Sequence, residues 1–99
     1  MNMSCNKEMV NHPDHYNKEG RPECIDEMVQ LYGVDFALIW CIMTAHKYWY
    51  RFGNKDAIEQ ELGKIEWYEN WVRSHIDMAT DRVVVDLVWN EYLDFNRRF

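Results

Sequence analysis

The chain has 99 residues, a formal net charge of -6, and 47% hydrophobic residues, among them five Trp and six Tyr. That length makes one small domain. The acidic balance argues against a nucleic-acid binder that works through bulk electrostatics, and equally against adhesion to an anionic membrane. No apolar run approaches the ~20 residues of a transmembrane helix, and Met1 to Val10 lacks the apolar core of a signal peptide. Cys5, Cys24 and Cys41 are odd in number and widely spaced. They fit neither a disulfide framework nor a zinc pattern, and reduced thiols in a cytoplasm are the simplest reading.

Residues 1–22 hold both prolines and many polar residues and read as an extended N-terminal arm, followed by a helical domain over residues 23–99. The first helix is expected near Pro22, a residue tolerated in the first turn. Glu23, Asp26 and Glu27 favour the positive end of its dipole. Ile25, Met28, Val29 and Tyr32 form its apolar stripe, and Gly33 ends it. A second helix is expected from about Asp35, a reasonable N-cap, to Phe52. Its first half is almost wholly apolar, as in a central buried helix. Its second half turns cationic and aromatic. A third helix is expected from about Asp56 to Ile76, with a core face of Ile58, Leu62, Ile65, Val72 and Ile76 and one skipped turn where Tyr68 or Glu69 falls. A fourth starts at Thr80 or Asp81, either a good cap, and carries the stripe Val84, Leu87, Val88, Tyr92 and Phe95. Val83-Val84-Val85 is β-prone but has no second strand to pair with. The expected architecture is all-α, a small bundle of three to four helices. Trp49, Trp67, Trp71, Trp89 and Phe99 exceed the needs of one small core, which predicts a homo-oligomer.

The segment from His46 to Asp56 places Lys47, Arg51 and Lys55 among Tyr48, Trp49, Tyr50 and Phe52. Lys47 and Arg51 are four residues apart and point the same way on a helix. Gly53 ends that helix and Lys55 lies just past the end. This arrangement suits a compact anion such as a nucleotide phosphate, with Arg51 the best candidate for a bidentate contact. The competing reading is a solvated helix end paired with Glu59 or Asp26. His12, His15 and Tyr16 offer donors that could close over the same site, or form a rigid arm packed on the bundle. Tyr48, Trp67, Tyr68 and Trp71 could stack on a base, or pack in the core. Asp26 is a candidate partner for Arg51 or Lys47, against the plain reading of a first-turn helix acid. A metal site from His12, Asp14 and His15 has no distant partner ligand, so neither metal nor cofactor is expected. No G-x-x-x-x-G-K-[ST] loop, H-E-x-x-H motif or dense carboxylate face is present. Glu59, Glu61, Glu66 and Glu69 are offset without an opposing pair, so no catalytic residue is assigned.

Taken together, His12-Pro13-Asp14-His15-Tyr16, then Glu23-x-Ile25-Asp26, then Lys47-Tyr48-x-x-Arg51-x-Gly53-x-Lys55-Asp56, then Leu62, Lys64 and Trp67-Tyr68 resemble the phage SaV-like domain of unknown function over about residues 11–72. That family is often labelled "nucleotide kinase", a name tracing to a larger podovirus early protein with nucleoside-monophosphate kinase activity. The family pattern has Asn where Thr44 stands and an aliphatic residue where His46 stands. The resemblance implies a phage protein acting in the host cytoplasm on a small phosphorylated nucleotide. Two readings follow. In one, the protein holds the nucleotide without chemistry, sequestering a nucleotide-derived host immune signal. In the other, it is a small nucleoside-monophosphate kinase.

Overall fold

A computed structural model describes residues 23–53 and 58–96. Among these residues there are four helices, α1 (Cys24–Tyr32), α2 (Val34–Tyr50), α3 (Ile58–His75) and α4 (Arg82–Asn96), with one 3-10 turn, Ile76–Met78, between the last two. The all-α bundle expected from the apolar spacing is the fold observed, and among the described residues no strand forms. The Val83-Val84-Val85 run lies inside α4. No helix of the described residues is long and apolar enough to cross a membrane.

Gly33 separates α1 from α2. Its φ of 94° lies in the region that penalises a Cβ, and its N–H closes α1 on Val29 O. Helix α2 therefore starts one residue earlier than expected, at Val34, and Asp35 does not cap it. The Asp35 carboxylate instead accepts hydrogen bonds from the backbone N–H groups of Thr80 (2.7 Å) and Asp81 (2.8 Å). It thus satisfies donors at the start of α4 that no helical carbonyl reaches. Asp81 caps α4 as expected, its Oδ1 accepting from Val84 N–H at 3.2 Å.

Helix α2 packs against each of the other three helices. Ala37, Leu38, Cys41, Ile42, Ala45 and Tyr48 are its buried residues in the core, and Cys41 packs there as a small apolar group. The anticipated central helix is observed, ending at Tyr50 rather than Phe52, with Arg51 as C-cap.

The expected faces of α3 and α4 need correction. On α3, Ile58 and Leu62 are exposed, while Glu61, Lys64, Ile65, Tyr68 and Val72 are buried. Spacings of three, one, three and four residues define one helical face, with Tyr68 filling the turn left vacant in the sequence reading. The face was misplaced because two of its members are charged. On α4, Val85 and Tyr92 are buried, whereas Val84, Leu87 and Phe95 are exposed. The apolar stripe read from the sequence is therefore split over two faces of that helix.

A hydrogen-bonded chain ties three helices together. Trp49 Nε1 donates to the Tyr92 hydroxyl (3.0 Å), which donates to Glu69 Oε2 (2.5 Å). Glu69 also pairs with Arg73 (3.3 Å), whose guanidinium lies 5.7 Å from the Trp89 ring centroid. Trp89 stacks on Tyr92 at 5.4 Å. Burial first, then the bond to Glu69, pushes the Tyr92 phenol well above its ordinary pKa.

Candidate functional site

The C-terminal end of α2 and the first half of α3 bring charged side chains onto one aromatic ring. Tyr48 is buried in the core and stacks on Tyr68 of α3 with centroids 6.0 Å apart and planes 17° apart. Trp40 meets Tyr68 edge-on at 5.6 Å. Around Tyr48 stand Lys47 Nζ at 5.0 Å, Lys64 Nζ at 5.2 Å and Arg51 Cζ at 5.6 Å from its centroid. Each lies within the ~6 Å over which an aromatic quadrupole attracts a cation. The local sequence explains the placement. Lys47, Tyr48 and Arg51 share the last turn of α2, and Lys64 is in register with the buried face of α3. Arg51 closes the helix, its N–H donating to Lys47 O at 3.1 Å, and Gly53 turns the chain with φ 82°.

The Lys47 ammonium is pushed below its ordinary pKa, first by desolvation and then by the charges of Arg51 and Lys64. No carboxylate among the described residues offsets that shift. Lys47 is exposed and Lys64 buried, so an anion reaching Lys47 from solvent would meet all three cations around the same ring.

One acid is close in sequence and lies on the same buried face of α3. Glu61 is one turn before Lys64 and fully buried, and among the described residues neither of its carboxylate oxygens has a hydrogen-bond partner. A buried carboxylate in that condition is costly.

Of the residues nominated from the sequence, Lys47, Tyr48 and Arg51 are brought together. Lys55 and the arm residues His12, His15 and Tyr16 lie outside the described residues, as does Phe99. Asp26 is exposed in the first turn of α1, the position of an ordinary helix acid, and no hydrogen bond or ion pair among the described residues joins it to Lys47 or Arg51. Tyr48 is the buried floor of the cluster, its ring occupied by Tyr68 and the cations. Trp67 and Trp71 are partly buried against the core, and Trp71 stacks on His75 at 3.9 Å. His46 is exposed, with Phe95 5.7 Å from its ring. Lys64 and Glu61 were not assigned to the site from the sequence. The signal that would have found them is their helical register with Ile65, Tyr68 and Val72, which marks both as polar residues on a core face. Among the described residues no cluster of His, Cys, Asp and Glu is arranged to hold a metal.

Comparison with known proteins adds a family without a function. No curated protein and no solved structure matches the chain. Residues 10–70 match the model of a family described as a protein of unknown function, DUF3310. The match takes in α1, α2 and most of α3, hence every residue of the cation cluster. Since it spans more than half of the chain, the protein belongs to the DUF3310 family.

Proposed function

We propose that the protein binds a small phosphorylated nucleotide through Lys47, Arg51 and Lys64, with Tyr48 as the floor of the site, and holds it without converting it. The observation that carries this reading is the gathering of Lys47 Nζ, Lys64 Nζ and Arg51 Cζ within 5.0, 5.2 and 5.6 Å of one aromatic ring. A phosphate placed among the three cations would offset their mutual repulsion. It would also give the Arg51 fork a planar, bidentate partner. The resemblance to phage SaV-like proteins supplies the setting: a protein acting in a host cytoplasm, where retaining a nucleotide-derived immune signal would be useful without any catalysis. The test is a nucleotide panel incubated with the protein and followed by heat denaturation and mass spectrometry. Unchanged nucleotide released on denaturation supports the reading. No retained nucleotide of any class refutes it.

A second reading, the nucleoside-monophosphate kinase implied by that resemblance, is favoured by Glu61. Phosphoryl transfer needs a group that orients the nucleophile or holds a metal beside the phosphate-binding cations. An unpartnered carboxylate on the same helix face as Lys64 is the described group that could serve. A phosphorylated product in the same assay would favour this reading over simple retention.

A further inference from the structure

The tryptophans that pointed to an oligomer are taken up elsewhere: Trp49, Trp67, Trp71 and Trp89 all pack against the core. The apolar surface left over comes from other residues. On α2, Phe36, Met43 and Tyr50 repeat at seven-residue intervals along the whole helix and are all exposed, Phe36 at 69% and Met43 at 61%. A repeat of seven holds one line along a helix and is the spacing by which helices pair. On α4, Val84, Leu87 and Phe95 form the exposed half of the split stripe, with Leu87 at 65%. The ring contact between His46 and Phe95 joins the two lines. They make one surface across neighbouring helices.

We infer that this α2–α4 surface is an interface between two copies of the chain, related by a two-fold axis near Met43. The inference does not depend on the nucleotide reading. Area is the first argument. Six large apolar side chains, each between 44% and 82% exposed, lie on one surface, and a contiguous apolar patch of this kind marks an interaction site. A standard interface buries ~800 Å² on each partner, which needs several such side chains on each copy. Self-complementarity is the second. Phe36 and Tyr50 stand seven residues on either side of Met43, so an antiparallel pair of α2 helices sets Phe36 against Tyr50 of the second copy twice over, as an isologous contact requires. Charge is the third. Between Phe36 and Tyr50 the only lysine or arginine is Lys47, and α2 carries no acid after Asp35. The two Lys47 positions would lie about 12 Å apart along the helix direction at 1.5 Å per residue, beyond the ~8 Å screening length of physiological salt.

Sedimentation of the full chain at 100 μM tests this. The wild type is expected at twice the 12.1 kDa chain mass. Met43→Glu combined with Leu87→Glu is expected to weaken association at least 100-fold and sediment as a monomer, with an unchanged helical circular dichroism spectrum. Leu31→Glu, at an exposed position of α1 and so on neither α2 nor α4, is expected to leave the dimer intact. If the double variant loses its helical signal, Phe36→Gln with Leu87→Gln replaces it, with the same monomer expected. A wild-type monomer at 100 μM overturns the inference. So does an assembly that survives either folded double variant, or one that Leu31→Glu disrupts as fully.

Discussion

Replacing Glu61 should make the protein more stable. Its carboxylate is fully buried with neither oxygen hydrogen-bonded among the described residues. Lys64 is one turn away, but no ion pair within contact distance joins the two. A buried polar group without a hydrogen bond carries an uncompensated desolvation cost. The effective penalty for burying one ion is several kcal/mol, and apolar replacements of buried charges are often neutral or stabilising by 1–4 kcal/mol. Glu61→Met keeps the length of the side chain and removes the charge. We expect a gain of about 1–3 kcal/mol, reduced from the full penalty because Lys64 loses a distant counter-charge. For a domain of this size each kcal/mol moves the melting temperature by roughly 4–8 °C. Urea titration followed by circular dichroism reads the free energy directly, and the isosteric Glu61→Gln should gain less, since its amide would still be unpartnered. A loss of more than about 1 kcal/mol in Glu61→Met would refute the reasoning, because a loss of that size is what removing a well-made buried contact produces. The same variants separate the two functional readings: nucleotide retention should survive both, whereas phosphoryl transfer would be abolished.

The other predictions concern the cations, the crosslink to α4 and alkaline pH. Arg51→Ala should weaken phosphorylated nucleotides by about 30- to 1000-fold, the equivalent of about 2–4 kcal/mol for a lost charge-assisted bidentate contact. Lys47→Ala should act in the same direction less strongly, and calorimetric titration showing wild-type affinity in both variants would dismiss the phosphate clamp. Asp35→Ala removes both bonds to the start of α4 and should cost about 1–3 kcal/mol in urea unfolding. Because the folded pKa of Tyr92 is raised above 10.0, the unfolded chain loses that proton first, and stability present below pH 10.0 should fall as pH rises beyond it. Lys47 has the opposite sign: its folded pKa lies below 10.5, so its contribution improves with pH in the window that ends there. Urea midpoints measured from pH 9 to 11.5 should therefore decline above pH 10, and Tyr92→Phe should flatten that decline.

The helices were legible in the sequence because their boundaries are set locally. Gly33 has to adopt a positive φ, Asp81 reaches its own helix's N–H groups, and the apolar first half of α2 has few ways to be anything but central. Two things were less legible. The first is which side of a helix faces inward when polar residues share the buried face. Glu61 and Lys64 break the apolar pattern of α3, so the apolar spacing points to Ile58 and Leu62, which are exposed. The second is any contact between distant segments. Asp35 looks like a cap, and it is one, but for a helix that starts some 45 residues later. Lys47 and Arg51 could be nominated because they share a turn. Lys64 joins them only through the packing of Tyr48 on Tyr68, which no local spacing reports.

The family model ends at residue 70, but the tertiary structure does not. Val85 and Tyr92 of α4 are buried members of the same core as Leu38 and Cys41, and the Tyr92 hydroxyl is the middle link between Trp49 and Glu69. The segment delimited by sequence similarity is thus smaller than the packed core. A protein trimmed to residues 10–70 would expose apolar positions that α4 covers and leave the Trp49 indole N–H without its acceptor. Relatives sharing only the matched segment must close that side of α2 by other means, with a helix of different sequence or a second chain. What lies downstream of residue 70 is therefore a variable that any comparison of cation clusters across the family has to control.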